Sequence, residues 1–294
     1  MKILIIDIDS KIQNLALRKI EKYHLDKGDE VVWNLPLYRP VADKIYISCI
    51  FTKNKDKCFE YENDPRCLIG GSGYDLNIKL PDEIEQVKPR INLGYTTRGC
   101  IRKCEFCVVP KKEGRIKVIG DLLDLWDGKS KDITLLDNNI LALPDHFKII
   151  CEQARKYKIR LDFNQGLDHR LLNQDIIDEL KTISHPKLRF SWDNMEDYNT
   201  VDKAISLLQK NHINCCDWYV LVGFNTAFEQ DLFRVEYLKS RNQNAYVMRY
   251  NGNTTKELTQ LARWVNNRSW FHAITWEEFL KINYQNNVKE LETK

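Results

Sequence analysis

Short apolar runs recur along this chain, each closed by a polar or glycine-rich cluster and most followed by a stretch of helical period. The first, Ile3 to Ile6, is continuous in apolar residues, as a parallel strand buried on both faces requires. Leu15, Leu17, Ile20 and Tyr23 then recur at near-helical spacing, and Gly28 stands where that helix should stop. Glu30 to Trp33, Lys44 to Phe51 and Cys67 to Ile69 are further strand candidates. The last runs into Gly70-Gly71-Ser72-Gly73, a tight turn that can cradle a ligand at a strand's carboxyl end or serve the turn alone. Strand alternating with helix predicts a small parallel, Rossmann-like sheet over residues 1–75.

Residues 76–94, with Pro81, Pro89 and mixed charge, read as a linker. A second series of strands follows. It comprises a run near Ile91 to Tyr95, Thr134 to Leu136, Arg160 to Phe163, Leu188 to Ser191, Asp217 to Val222 and Ala245 to Met248. Helical stretches lie between them, at Phe147 to Tyr157, Asp175 to Lys181, Asp202 to Lys210 and Glu229 to Ser240. Six β/α units predict a partial barrel over residues 95–255, with its chemistry at the carboxyl ends of the strands. Polar clusters fall at those ends: Asp137-Asn138-Asn139, Asn164-Gln165 with Asp168 and Arg170, Asp193-Asn194, Gly223-Phe224-Asn225 and Arg249-Tyr250-Asn251. Residues 256–294 form a C-terminal helical extension. Its Leu261, Trp264, Trp270, Phe271, Trp276 and Phe279 suit core packing on the barrel flank or a base-stacking surface, and Asn283 to Lys294 reads as a frayed polar end.

The 294 residues, 43% of them apolar, can bury a substantial core, and a net charge of +3 neither demands nucleic acid nor excludes it. The opening apolar run breaks at Asp7, too early for a signal peptide, and no run is long enough to span a membrane, so a cytoplasmic protein with reduced thiols is expected. The charge distribution is more informative than the total. Arg98, Arg102, Lys103, Lys111, Lys112, Arg115 and Lys117 face only Glu105 and Glu113, an excess of five positive charges within twenty residues. Such an excess suits an anionic partner, a solvated loop, or counterions for an anionic centre.

Inside that basic stretch, Cys100, Cys104 and Cys107 spell C-x3-C-x2-C. Three thiolates can hold three irons of a four-iron cluster and leave the fourth open to bind a small molecule, whereas ferredoxin-type binding takes four. The next cysteine is Cys151. A zinc site usually shows paired knuckles, and Cys215-Cys216, adjacent, suit opposite faces of a strand better than a chelate. Nine cysteines in a long chain with no secretory mark do not read as a disulfide framework, and isolated ones such as Cys49, Cys151 and Cys215 are ordinarily small buried hydrophobes.

The run from Gly94 to Cys107, with Phe106 just before the last cysteine, resembles the signature of the radical S-adenosylmethionine (SAM) enzymes. The resemblance covers roughly Tyr95 to Asn251. It implies a [4Fe-4S] cluster on the three cysteines and SAM chelated at the open iron. An external one-electron donor of flavodoxin or ferredoxin type would then drive SAM cleavage to methionine and a 5′-deoxyadenosyl radical. It further places Asp137 and Asn138 at the SAM amino group, Asp137 otherwise serving a turn or cap. Gln165 and Asp193 fall near the ribose, carboxylate or substrate, and Gly223, Arg249, Tyr250 and Phe106 near the adenine. Asp168 and Arg170 are the candidates for catalysis, or an ion pair holding a loop.

The N-terminal part resembles the cobalamin-binding-like domain that precedes the radical core in many of these enzymes. It departs at the cobalt ligand. The pattern D-x-H-x-x-G reads Asp7-Ile8-Asp9-Ser10-Lys11-Ile12 here, so no cobalamin is expected. The tRNA methylthiotransferases carry a second cluster on their N-terminal domain, for which Cys49, Cys58 and Cys67 are the available ligands. The expected function is radical SAM cleavage and hydrogen abstraction from an unidentified substrate, with an anionic nucleotide or nucleic acid as the candidate class. The alternatives are methyl or methylthio transfer to nucleic acid, and a non-catalytic iron–sulfur or zinc module.

Overall fold

The computed structural model describes residues 1–253 and 255–292, the stretch 285–292 as backbone alone, and divides into two compact units, Met1–Asp137 and Asn138–Lys294. In the first, β1 (Lys2–Asp7), α1 (Leu15–Asp26), β2 (Glu30–Trp33), β3 (Lys44–Ser48) and β4 (Cys67–Gly70) form a parallel sheet of order β2-β1-β3-β4. The continuous apolar run of β1 is explained by burial on both faces. Leu4 packs with Ile45, Ile47, Cys49 and Cys58, while Ile3 and Ile5 pack with Leu17 and Ile20 of α1. Asn14 caps α1 by accepting from the Leu17 N–H, and Gly28 (φ +78°) stands just past its C-cap.

The strand expected to reach Phe51 ends at Ser48. The carboxylate of Asp9 takes the N–H groups of Ile50 (2.7 Å) and Phe51 (3.0 Å) and the Asn54 amide (2.9 Å), which draws that backbone out of the ladder. The residue at the cobalt-ligand position therefore ties the β3 end to the loop from β1. Burial pushes the Asp9 carboxyl up, but the bonds from Asn54, Ile50 and Phe51 outweigh it and hold it below the usual carboxylate range. The glycine-rich turn is needed for close backbone approach. A Cβ on Gly71 would lie 2.2 Å from the Cys49 carbonyl oxygen, and one on Gly73 would lie 2.4 Å from the Phe51 carbonyl carbon.

The stretch read as a linker contains α2 (Asp82–Glu85), whose Ile84 is buried against the α1 side of the sheet, and Lys19 donates to the Glu85 carboxylate (2.9 Å). Beyond it come β5 (Leu93–Gly94), β6 (Thr97–Arg98), α3 (Val109–Lys112), β7 (Lys117–Val118), α4 (Leu122–Leu125) and β8 (Asp132–Leu135). β5 pairs in parallel with β8, and β6 pairs antiparallel with β7.

The second unit alternates helix and strand: α5 (Pro144–Tyr157), β9 (Arg160–Phe163), α6 (Gln174–Lys181), β10 (Arg189–Ser191), α7 (Tyr198–Lys210), β11 (Asp217–Val222), α8 (Phe228–Ser240) and β12 (Asn244–Arg249). Three of the strands form a parallel sheet, β10-β11-β12, with Phe190, Trp192 and Trp218 fully buried. Cys215 and Cys216 lie before β11 rather than in it, because Gln243 takes the Cys216 N–H (3.0 Å) and Cys215 is left-handed (φ +58°).

The chain closes with α9 (Lys256–Asn266), α10 (Arg268–Ala273) and α11 (Trp276–Glu292), helical through most of the end expected to fray; Thr293 and Lys294 lie outside the described residues. Leu261, Trp264, Phe271, Trp276 and Phe279 are buried and so belong to the core, while Trp270 of the same set is only half-buried. Among the described residues, no helix is long and apolar enough to cross a membrane.

Candidate metal centre

The cysteine loop is closed by short-range bonds. At its base the β6–β7 ladder pairs Thr97 with Val118 and Arg98 with Lys117. The Cys100 N–H donates to the Gly114 carbonyl (3.2 Å), and the Cys107 N–H to the Cys104 carbonyl (3.0 Å), which makes the C-x2-C segment a tight turn. The Arg102 N–H donates to the Cys100 sulfur (3.3 Å). Glu113 fastens the neck, accepting from the Gly99 N–H (3.0 Å) and pairing with Arg98 (3.0 Å). Sequence reading missed Glu113, since nothing in its spacing links it to a glycine fourteen residues earlier.

Gly99 allows the neck. Its φ is +90°, and a Cβ there would stand 2.5 Å from the Arg115 carbonyl oxygen and 2.7 Å from that of Gly114. Gly99→Ala is therefore expected to open the loop and lose most of the bound iron, while the melting temperature of the metal-free protein falls by only a few degrees. Iron assay after anaerobic reconstitution checks this, and a Gly99→Ala protein with full iron would contradict it.

Asp137 is the strut behind the loop. Its Oδ1 accepts from the hydroxyls of Thr96 (2.8 Å) and Thr97 (2.6 Å) and from the Thr97 N–H (2.5 Å). Burial raises its carboxyl above the usual range despite the bonds from Thr97 and Thr96. These bonds fix the end of β8 to the residues that enter the cysteine loop.

The nine cysteines fall into distinct environments. Cys100, Cys104 and Cys107 are half-buried. Cys49, Cys151 and Cys216 are buried, and burial pushes each thiol up to about 12. Cys49 and Cys58 are hydrogen-bonded inside the apolar layer under the first sheet, and Cys67 packs against the same layer. Burial raises all three of these thiols. Among the described residues, no group of three or more His, Cys, Asp or Glu side chains is drawn together closely enough to hold a metal ion, the loop cysteines included. The fit to a cluster therefore rests on donor chemistry. Three accessible thiols stand at the required spacing, with a backbone N–H aimed at one of them. Phe106 is half-buried beside them.

In the second unit, Asp168 accepts from Arg170 Nε (2.7 Å) and from the Asn139 amide (3.0 Å), and Arg170 also lies 3.6 Å from Asp197. The ion-pair arrangement is thus present, and it joins the loops after two strands. Asn138 adjoins this group in sequence and Gln165 is exposed. Asp193 accepts from the Leu221 N–H (3.4 Å), and its carboxyl is raised by burial. Gly223 (φ +72°) donates its N–H to Asp231 (3.0 Å), Arg249 donates to Thr259 (2.9 Å), and Tyr250 packs edge-on against Phe224.

A fully buried pair, Asp231 and Arg234, supports these strand ends. Arg234 donates to the carbonyls of Trp192 (2.6 Å) and Leu221 (2.8 Å), and Asp231 takes the Gly223 N–H and the Thr226 hydroxyl (2.7 Å). Their place on one helix face with Val235 and Leu238 was the available signal, since charges on an apolar face must be paired.

His169 is buried, and burial together with the Arg170 charge pushes it down to about 4. Between that value and the ordinary 6.5, the unfolded chain binds a proton that the folded chain does not, so stability falls as pH falls through this window, by up to about 3 kcal/mol. Urea unfolding from about pH 7 down to about pH 5 should show this, and His169→Phe should flatten the profile. An unchanged profile in the variant would contradict the assignment.

The chain matches no protein-family model. It is similar to the tRNA-2-methylthio-N(6)-dimethylallyladenosine synthase of Flavobacterium psychrophilum, 25% identical over an alignment of 248 residues that covers 71% of this chain and 46% of that protein. The synthase of the same name from Bacillus subtilis is 28% identical over 131 residues, 42% of this chain and 21% of that protein. A CDK5RAP1-like protein of Oryza sativa subsp. japonica is 24% identical over 180 residues, 53% of this chain and 29% of that protein. The chain spans about half the length, 46%, of the Flavobacterium relative it matches.

Proposed function

We propose that this chain is a radical SAM enzyme that modifies a nucleic-acid substrate, tRNA in the first instance, by methyl or methylthio transfer. The observation that carries the reading is the loop of Cys100, Cys104 and Cys107, held half-exposed in a basic stretch, in a chain similar to named tRNA methylthio-adenosine synthases. That similarity favours the nucleic-acid alternative over hydrogen abstraction from an unspecified molecule.

Cys100, Cys104 and Cys107 would hold the cluster, whose binding free energy would also order the loop. A bound [4Fe-4S] centre supplies the electron that splits SAM. The chain's own residues prepare the loop. Glu113 and Gly99 close its neck, and Asp137 braces its entry. Asn138, Gln165, Asp193, Gly223, Arg249 and Tyr250 are proposed as SAM ligands, on β/α units of the kind that build a partial barrel. Asp168 and Arg170 are proposed to bind the methionine carboxylate or the substrate, with Arg170 able to offer a forked pair of donors. The protein would work in the cytoplasm with an external one-electron donor.

Nucleoside mass spectrometry of tRNA tests the reading. tRNA from cells that express the gene should contain a nucleoside heavier by a methyl or methylthio group, absent when the gene is deleted. Identical tRNA nucleosides in both would overturn the substrate class.

A further inference from the structure

We propose that the carboxyl end of the β1–β4 sheet is a docking surface for single-stranded nucleic acid, with Phe51 stacking a base and Lys11 and Lys53 holding the flanking phosphates. The proposal rests on the nucleic-acid reading above and names the surface that would serve it.

Phe51 is a large aromatic ring left 39% exposed beside Ile50, itself 37% exposed, at the point where Asp9 pulls the chain out of β3. Three anchors fix the Phe51 backbone. The Asp9 carboxylate takes its N–H, Asp9 also binds Asn54 just beyond, and Gly73 packs against its carbonyl carbon. A ring held on so constrained a backbone loses little freedom when a base stacks on it. The ammonium groups of Lys11 and Lys53 each lie 5.9 Å from the ring centroid, and Lys55 lies 5.2 Å from the neighbouring Tyr74 ring. Lys57 continues the alternating lysines of this segment, in which Asp56 is the acidic residue between them. An exposed ring flanked by cations is what a single strand requires, since every base offers a π face and every nucleotide a phosphate.

The surface adjoins the cysteine loop within the same unit. Gly71-Ser72-Gly73 packs on the Cys49–Phe51 backbone, and Lys112, at the end of the α3 turn that follows Cys107, reaches the Ser72 hydroxyl (2.6 Å). Burial and the nearby Arg98 charge lower the ammonium pKa of Lys112, whose role is to join the turn to the loop. A strand bound across Phe51 therefore lies beside the basic stretch around Cys100–Cys107. An acidic peptide would satisfy the lysines but would leave the ring unused.

Fluorescence anisotropy of the full chain with a labelled mixed-sequence RNA of about 12 nucleotides tests this. Phe51→Ala should raise Kd about tenfold, and Phe51→Trp should keep it near the starting value. The Lys11→Gln/Lys53→Gln double variant should reduce the slope of log K against log salt by about 1.4, two phosphate contacts on a single strand. Equal affinity of Phe51→Ala and the unaltered chain would overturn the stacking surface, as would polyglutamate competing as well as unlabelled RNA. The SAM response of the unaltered, cluster-loaded chain is read in parallel. A positive response with RNA affinity indifferent to Phe51 rejects the surface alone, and no response at all rejects the enzyme reading.

Discussion

Cys104→Ala should give a colourless protein that cleaves no SAM above background, with its fold intact. The thiol stands in the middle of the three-residue donor set, and two thiolates leave two irons of a four-iron cluster without protein ligands. The cost to the fold should be small. The side chain is half-exposed, and the bond that makes its turn runs from the Cys107 N–H to the Cys104 backbone carbonyl, which alanine retains. Cys151→Ala gives the opposite pattern. That thiol is fully buried in the second unit, so its loss should cost about 1 kcal/mol of stability and leave the iron content unchanged. Iron and sulfide assays with thermal melts separate the two. A brown Cys104→Ala protein would remove the basis of the site assignment.

Asp231→Ala is the substitution expected to harm the fold most. It leaves the Arg234 guanidinium fully buried without its carboxylate, and it frees the Gly223 N–H and the Thr226 hydroxyl. Breaking a buried pair from one side costs about 3–5 kcal/mol, which in a protein of this size is a fall in Tm of roughly 10 °C. Asp231→Leu combined with Arg234→Met removes both charges and should recover part of that loss, although the carbonyls of Trp192 and Leu221 then lose their donor. Calorimetry of the three proteins measures it. A loss below about 1 kcal/mol in Asp231→Ala would mean that the pair does not hold these strand ends.

The strands were legible in the sequence because most are buried on at least one face and therefore read as apolar runs. Ile3 to Ile6 and Asp217 to Val222 lie where their composition places them. The errors arose where a side chain competes with the ladder for backbone groups. Asp9 takes two N–H groups beyond Ser48, and Gln243 takes the one at Cys216, and neither competition leaves a mark in local composition. The cysteine loop was singled out by spacing alone, since three candidate ligands on one short segment need no tertiary information. Its supports were not. Glu113 and Asp137 act across fourteen and forty residues on Gly99 and Thr97, and the fold alone brings them together. The aromatic residues of the C-terminal helices were ambiguous because a buried face and a stacking face share one spacing, and burial of Trp264 and Phe271 places those two in the core.

The proposed site, in which the three loop cysteines leave one iron able to bind SAM, has a spectroscopic signature of its own. It is tested most directly by electron paramagnetic resonance of the anaerobically reconstituted, dithionite-reduced chain with and without SAM, alongside an assay for 5′-deoxyadenosine. A reduced-cluster signal that changes on adding SAM is expected, with release of 5′-deoxyadenosine that Cys104→Ala abolishes. A signal indifferent to SAM, or a zinc protein that takes up no iron, would contradict it.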